Sequence, residues 1–439
     1  MKAVIMAGGK GTRIRSLTQN EIPKPMLTVG GKTIIEHQIK CLRKSGIEEI
    51  IIVIGYLGEK IKEHFKNGED FGVKISYFEE DSNNPLGTAG SLYYLKSEIF
   101  EDFILIFGDV FLNVDFTKMI RYHKRNISDA TLLTHPNSHP YDSDLILTEE
   151  HNKIIGFDSK ENIRNYDYKN IVNAGIYIFS PKVFNYVVKP QKYGLEKDVI
   201  EKMILEKDNV FSYQSTEYVK DMGTPERYFS VNSDYKNGIC EHRNMTNKQK
   251  CIFLDRDGTI NIYIPFLINK EQFKLYNNVA DAIKEINSSE YLCIVITNQP
   301  IIARGESSID NLNDIHKKME TLLGKEGAYI DGLYYCPHHR DKGFAGEVVE
   351  LKIDCDCRKP KIGMLNQAKA DYNIDLTNSF IIGDSTVDIK TAENAGMKSI
   401  LVKTGQAGLD EKYEVTPTDI AENLFDAVNK ILKNSEREK

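Results

Sequence analysis

Twice in 439 residues a short apolar run empties straight into a loop of glycines or carboxylates: AVIMAGGKGTR at 3–13 and CIFLDRDGTIN at 251–261. These junctions constrain the fold more than any other feature. An apolar run too short for a helix reads as a strand covered on both faces, as in a parallel sheet. In open α/β sheets ligands bind beyond the carboxyl ends of the strands, where both loops fall. The i, i+2 spacing of Asp255 and Asp257 points both carboxylates to one face of an extended chain. Such crowding of like charge costs free energy unless a cation or a reaction uses it.

Each junction opens an alternating series. In the first, TIIEHQIKCLRKSG predicts a helix closed by Gly46, and EEIIIVIGY, DFILIFGDVF and NAGIYIFS predict strands. In the second, YLCIVITN, SFIIGD and SILV predict strands, with helices at NVADAIKEINSS, NLNDIHKKMETLLG and the C-terminal AENLFDAVNKILK. Alternation of this kind favours mainly parallel sheets wrapped by helices. The polar stretch before Cys251 predicts a linker at 238–249 between domains at 1–237 and 250–432, with a charged tail at 433–439.

Composition narrows the function classes. A net charge of −7 without a basic stripe argues against nucleic acid. No apolar run approaches the roughly 18 residues of a membrane helix, and Met1 leads directly into KAVIMAGG rather than a signal segment. The expected setting is the cytoplasm and the expected partners are small molecules; a homo-oligomer is left open. Of seven cysteines, three crowd between Cys336 and Cys357, which suits metal ligation better than disulfides in a reducing compartment.

In MAGGKGTRIRSLTQNEIPKPML, glycines 8, 9 and 11 would let backbone N–H groups approach phosphate oxygens, with Arg13 and Lys24 adding positive charge. The glycines alone fit an ordinary turn equally well. Over roughly 1–235, however, the chain resembles the sugar-1-phosphate nucleotidyltransferases, whose loop reads G-G-x-G-T-R followed by P-K-P. The resemblance implies a Rossmann-like mixed sheet. It implies nucleotide binding by Gly8, Gly9, Gly11, Thr12 and Arg13, and by Gly87, Thr88 and Ala89 of PLGTAGSL. It places Asp109 of FGDVF and Asp221 of VKDMGTPERY on Mg2+. Lys24, Asn173, Gly175, Glu196 and Lys197 fall on the sugar phosphate, with Arg13 and Lys24 assisting the transfer. Ser16, where many relatives carry proline, tilts the resemblance toward the heptose-1-phosphate guanylyltransferase branch.

Over roughly 250–405 the chain resembles the haloacid dehalogenase superfamily of phosphatases, whose first motif is D-x-D-G-T. The resemblance implies Asp255 as nucleophile, Asp257 as general acid and base, and Mg2+ at Asp255, Asp257 and Asp384, with Asp388 in support. The resemblance also implies substrate binding by Thr297 and Asn298, which end the second-motif strand and of which Thr297 falls on a phosphoryl oxygen, and by Lys359, the third-motif lysine that balances negative charge. About forty residues separate Asp257 from Thr297, too few for a large cap at that point. The residues Cys336, His338, Cys355 and Cys357 form a C-x-H…C-x-C set that fits closed, structural Zn2+, with His339 as the rival histidine. Zinc-loop members include heptose 1,7-bisphosphate 7-phosphatases and histidinol-phosphate phosphatases. DRDGTIN, IARG and CRKP resemble the heptose group, whereas Pro300 and Ile301 depart from it. Arg358 and Arg304 are candidates to grip a distal phosphate.

The two resemblances combine into a bifunctional enzyme of GDP-heptose synthesis: removal of the 7-phosphate, then transfer of GMP from GTP to the heptose 1-phosphate. Alternatives are a hexose-1-phosphate nucleotidyltransferase fused to another small-ester phosphatase, and a sugar-nucleotide sensor.

Overall fold

The computed structural model describes residues 1–437. They divide into two compact units. The first comprises 1–135, 144–159 and 171–244; the second comprises 136–143, 160–170 and the chain from Met245 onward.

The first unit is built on a nine-stranded mixed sheet. Ala3–Ala7 lies at its centre, flanked in parallel by Glu49–Ile54 and Phe103–Phe107, with Lys74–Glu79 parallel beyond Glu49–Ile54. Val172–Phe179 then runs antiparallel to Phe103–Phe107, so the sheet changes direction there. Alternate side chains feed two cores: Ala3, Ile5 and Ala7 pack on one face, Val4 on the other. This is why the strand reads as unbroken apolar sequence. The predicted helix spans Ile34–Lys44; Thr33 and Glu36 close its N-terminus as a reciprocal capping box.

The second unit carries a six-stranded, wholly parallel sheet. Its order is Gly332–Cys336, Tyr291–Asn298, Lys250–Leu254, Phe380–Gly383, Lys398–Val402 and Asp419–Ala421. Ile252 and Leu254 point into one core, Cys251 and Phe253 into the other. Between Leu254 and Tyr291 there is one 3-10 turn and the helix Val279–Asn287, and no large cap.

Two expectations about the connections change. The stretch 238–249 is divided between two cores rather than left as a spacer. Ile239–His242 is helical, and Cys240 packs with Ile14, Leu27, Phe111 and Met222. Gln249 N–H donates to Asn373 O at 3.1 Å within the second unit. One buried cysteine in a polar run was too weak a periodic signal to read. At the other end, the helix Leu424–Arg437 takes in most of the expected tail; Glu438 and Lys439 lie outside the described residues.

Candidate active sites

In the first unit, Gly8 to Gly11 leave the central strand and turn back over Lys24. Gly11 has φ +57°, and a Cβ there would stand 3.1 Å from Lys24 Cβ, so this turn needs glycine. The loop walls a cleft of about 410 Å³ whose lining includes Gly8, Gly9, Gly11, Thr12, Arg13, Lys24, Gly87, Thr88 and Asp109. Ala89 is fully buried behind it. Lys24, only 8% exposed, forms an ion pair with Asp109. Asp221 faces Val110 across an antiparallel ribbon, and Met222 N–H donates to Asp109 O at 2.9 Å, so Asp221 at the end of one strand lies beside Asp109 at the start of the other. Asp221 pairs with Arg227 and accepts from Gly223 N–H at 2.9 Å. Burial works to raise its carboxyl, but the Arg227 bond and charge prevail and hold it below the usual range. Sequence reasoning passed over Arg227, which lies in the quoted GTPERY itself.

The expected sugar-phosphate residues gather in part. Asn173 Nδ2 donates to Glu196 Oε1 at 3.2 Å, and the hydroxyl of the buried Tyr177 donates to the same oxygen at 2.6 Å. Gly175 N–H donates to Asn173 Oδ1 at 3.2 Å. Thr88 Oγ1 accepts from Leu195 N–H at 2.8 Å, which ties the Glu196 segment to the cleft wall. Lys197 is exposed and is not part of this network.

In the second unit the sheet brings three motifs to one edge. Asp255 N–H donates to Ile382 O at 3.0 Å, pinning the first motif beside the strand that ends in Asp384. Gly258 has φ +87°, and a Cβ there would fall 2.1 Å from Asp384 Oδ2, so glycine lets the aspartate in. Lys359 Nζ, fully buried, reaches Asp255 Oδ1 at 2.9 Å, Asp388 Oδ1 at 2.6 Å and Ile296 O at 3.0 Å. Asp255, Asp384 and Asp388 each offer an oxygen within 4.8 Å of the others. Burial, then the Asp388 charge, push Asp255 up to about 7 against the pull of Lys359. Burial, then Asp255 and Asp388, push Asp384 up to about 8. Mutually repelling buried carboxylates of this kind suit a hard divalent cation, which would relieve the strain of like charge.

The Asp257 carboxylate, expected on the metal, stands outside this cluster, and Asp388 takes the third place. Asp257 instead accepts from Arg256 at 2.7 Å, Asn261 at 3.0 Å and Gln299 at 2.9 Å. The reason is Arg256: at 0% exposure it requires a counter-charge. Burial alone would raise Asp257, but Arg256 outweighs it and holds the carboxyl below its ordinary range. Thr297 Oγ1 accepts from the same Gln299 amide at 2.9 Å. Arg304 is held between the rings of Phe266 and Phe344, at 5.3 and 4.9 Å. Arg358 donates to His338 O at 3.3 Å, and burial with the nearby Arg304 charge lowers its pKa, so the two guanidinium groups share a neighbourhood.

The sulfurs and imidazole of the long loop converge. Cys336 Sγ lies 3.5 Å from Cys355 Sγ and 3.7 Å from His338 Nδ1; Cys357 Sγ lies 3.3 Å from Cys355 Sγ and 3.2 Å from His338 Nδ1. Donors at about 2.0–2.3 Å from one tetrahedral ion would be about 3.5–3.8 Å apart, so the set closes around a metal with small shifts. His339 turns away from it, with Nε2 3.1 Å from Arg304 Nη2.

A glycine-lined cleft with paired Lys and Asp in one unit, and a buried aspartate cluster balanced by lysine in the other, mark a fusion of two enzymes that work on phosphorus. Residues 2–238 match the nucleotidyl transferase family, to which the chain belongs, and its second half belongs with the D-glycero-β-D-manno-heptose-1,7-bisphosphate 7-phosphatases. The HAD-hydrolase-like family matches residues 356–427. The phosphatase of that name from Haemophilus influenzae is 43% identical over 159 residues, covering 36% of this chain and 83% of the relative. The mannose-1-phosphate guanylyltransferase of Mycobacterium tuberculosis is 30% identical over 239 residues, covering 54% of this chain and 65% of the relative. The crystal structure of D,D-heptose 1,7-bisphosphate phosphatase from B. bronchiseptica, complexed with magnesium and phosphate, is 30% identical, with TM-score 0.38 over 42% of this chain and 99% of that one. No helix among the described residues is long and apolar enough to cross a membrane.

Proposed function

We propose that the chain carries out two consecutive steps of GDP-heptose synthesis in the cytoplasm. The second unit removes the 7-phosphate of D-glycero-D-manno-heptose 1,7-bisphosphate. The first unit joins the resulting heptose 1-phosphate to GMP from GTP and releases pyrophosphate. The observation that carries this reading is the Asp255–Lys359–Asp388–Asp384 cluster, in a chain whose other unit has the Lys24–Asp109 pair in a glycine-walled cleft.

In the phosphatase, Asp255 attacks phosphorus and the sugar oxygen leaves with a proton from Asp257; water then attacks the aspartyl phosphate. Asp257 is held ionised by Arg256, which suits the base role in the second half. For the acid role Asp257 must first take up a proton, which the negative charge of a bound phosphate beside it favours. Mg2+ held by Asp255, Asp384 and Asp388 would offset the negative charge gathered there. Lys359 aims Asp255 and pulls it toward the ionised form. Arg304 and Arg358 hold the distal phosphate, which the enzyme must spare. In the transferase a sugar-phosphate oxygen attacks the α-phosphorus, and the bond to the β-phosphate oxygen breaks. Arg13 and the glycine N–H groups balance the pyrophosphate, Lys24 the attacking phosphate, and Asp109 and Asp221 would hold Mg2+. Lys197, Asn173, Gly175 and Glu196 face the sugar phosphate in this scheme. The Cys336–His338–Cys355–Cys357 set, with every position filled by protein, would hold a bracing Zn2+.

The test is coupled turnover by the full chain. Phosphate release from heptose 1,7-bisphosphate, followed by pyrophosphate release only when GTP is added, is expected. Phosphate release from histidinol phosphate or mannose 6-phosphate at equal efficiency would move the reading to the hexose alternative. Absence of pyrophosphate with any nucleotide and any sugar phosphate would leave the first unit a sensor.

A further inference from the structure

The helix Ile309–Lys325 carries a polar side chain where its pattern calls for an apolar one. Leu312, Ile315 and Met319 face the core, and His316, four residues after Leu312 and three before Met319, lies on the same buried stripe at 6% exposure. A buried polar group needs a partner, and the partner here sits on the catalytic loop: His316 Nε2 lies 3.2 Å from Nη1 of Arg256. A guanidinium has only donors, so Nε2 accepts and the ring is neutral. Burial, then the Arg256 charge, push the imidazole pKa well below its ordinary range, which keeps it so. The other side of the same guanidinium faces Asp257: Nη2 donates to the two carboxylate oxygens at 2.9 and 2.7 Å, and Nε donates to Oδ1 at 3.2 Å. Arg256, at 0% exposure, is thus held between a carboxylate and a neutral imidazole.

We propose that His316 is a positioning residue for proton transfer in the phosphatase: it fixes Arg256, and Arg256 aims the Asp257 carboxylate. This rests on the phosphatase reading and extends it to a helix outside the four motifs. A guanidinium is planar and grips a carboxylate through paired N–H groups in that plane, so whatever sets the plane sets the direction of the carboxylate. The Asp257 end of the pair is tied by the loop backbone, one residue on. The Nη1 end is tied by His316, which comes from a packed helix far along the chain. The acceptor at 316 has to be neutral. A carboxylate there would compete with Asp257 for the guanidinium charge, and a cation would repel it. The neutral ring leaves that charge to Asp257, where Asn261 and Gln299 add donors of their own. Proton transfer responds to such aim, because the acid must come within hydrogen-bond reach of the leaving oxygen. His316 acts through Arg256 and is not itself a catalytic residue.

The test uses the full chain and a pair of phosphate esters that differ in their need for a proton. The sugar oxygen leaves heptose 1,7-bisphosphate with a proton from Asp257, whereas p-nitrophenolate leaves p-nitrophenyl phosphate without one. The ratio kcat/KM covers the steps up to that departure and so isolates the acid half of the reaction. His316→Leu keeps the bulk and removes the acceptor. It is expected to lower kcat/KM for the heptose ester about 10- to 100-fold, and for the aryl ester by less than about threefold, because only the first draws on general-acid catalysis. His316→Gln, whose amide oxygen accepts in place of Nε2, is expected to return the heptose ester to within about threefold of the wild type. The aryl ester also reports folding of the same site, since a variant that merely unfolds loses both activities. Equal loss on the two esters, no loss in His316→Leu, or a Gln variant as impaired as the Leu variant overturns the proposal. A different alkyl phosphate as the wild-type substrate, with the same split between alkyl and aryl esters in the variants, would support this assignment while removing the heptose reading. A wild type inactive on every ester overturns both.

Discussion

Asn298 and Lys359 clasp each other by two backbone-directed hydrogen bonds: Lys359 N–H donates to Asn298 Oδ1 at 3.0 Å, and Asn298 Nδ2 donates to Lys359 O at 3.1 Å. The clasp fixes the base of a side chain whose ammonium must meet Asp255, Asp388 and Ile296 O at once. Asn298 is thus a positioning residue. Asn298→Ala removes two bonds worth about 0.5–1.5 kcal/mol each. It is expected to lower phosphatase kcat about 10- to 100-fold with a smaller change in KM. Pyrophosphate release by the first unit should not change. Steady-state kinetics with both substrates check this; a pure KM effect would assign Asn298 to substrate binding instead.

Gly258→Ala tests whether the aspartate cluster depends on a missing side chain. A methyl group there collides with Asp384 Oδ2, and φ +87° disfavours any residue but glycine. Phosphatase activity is expected to fall more than about 100-fold, with stability reduced by about 1–3 kcal/mol. Gly343→Ala is the control: its φ of +97° is equally unfavourable, but nothing lies within 4 Å of the added Cβ. It should cost stability alone. Equal loss of phosphatase activity in both variants would mean the effect is general strain.

What the sequence disclosed follows from how local each signal is. Asp255, Thr297 and Asp384 were legible because each ends an apolar strand, and the parallel register carries those ends to one edge. The Cys336–Cys357 cluster was legible because few other roles crowd thiols in that spacing. Asp388 was read only as a support because its place depends on how the helix Thr386–Ala395 starts. Ser385 Oγ and the Asp388 carboxylate share a 2.6 Å bond at that start. The Asp257 carboxylate lies apart from the cluster for a reason the sequence hides, since only packing reveals that Arg256 has no access to water. Glu80 carries no motif, and its meaning comes from neighbours far along the chain; Arg227 lies in a quoted stretch, but a surface-type arginine in a helix's first turn does not show in sequence that it pairs with Asp221 six residues back. The antiparallel part of the first sheet was largely illegible, since short strands such as Leu145–Thr148 and Ile154–Asp158 expose one edge or face and show little pattern.

The thiol–imidazole cluster separates two adjacent histidines. The purified full chain is expected to hold one zinc, measured by elemental analysis. His338→Ala should lose it, because His338 Nδ1 faces Cys336 and Cys357. His339→Ala should keep it, because His339 contacts Arg304 instead. Chelation should abolish phosphatase activity and lower the Tm of the second unit by roughly 5 °C or more, as binding energy of a structural metal is folding energy. Zinc retained in His338→Ala and lost in His339→Ala would reverse the ligand assignment.

Glu80, in the wall of the first unit's cleft, predicts a pH dependence with a definite sign. Its carboxyl is raised from 4.5 to about 7 in the folded chain, by burial first. Between those values the native state binds more protons than the unfolded one, so stability falls as pH rises through that window. The loss is complete above about pH 7 and amounts to at most roughly 3 kcal/mol. Glu80→Gln cannot ionise. Its Tm should equal that of the wild type near pH 4.5, exceed it progressively toward pH 7 and keep a constant margin above. Paired thermal melts across that range measure the slope. A margin between the two proteins that does not vary with pH would show that Glu80 is ionised throughout and already partnered.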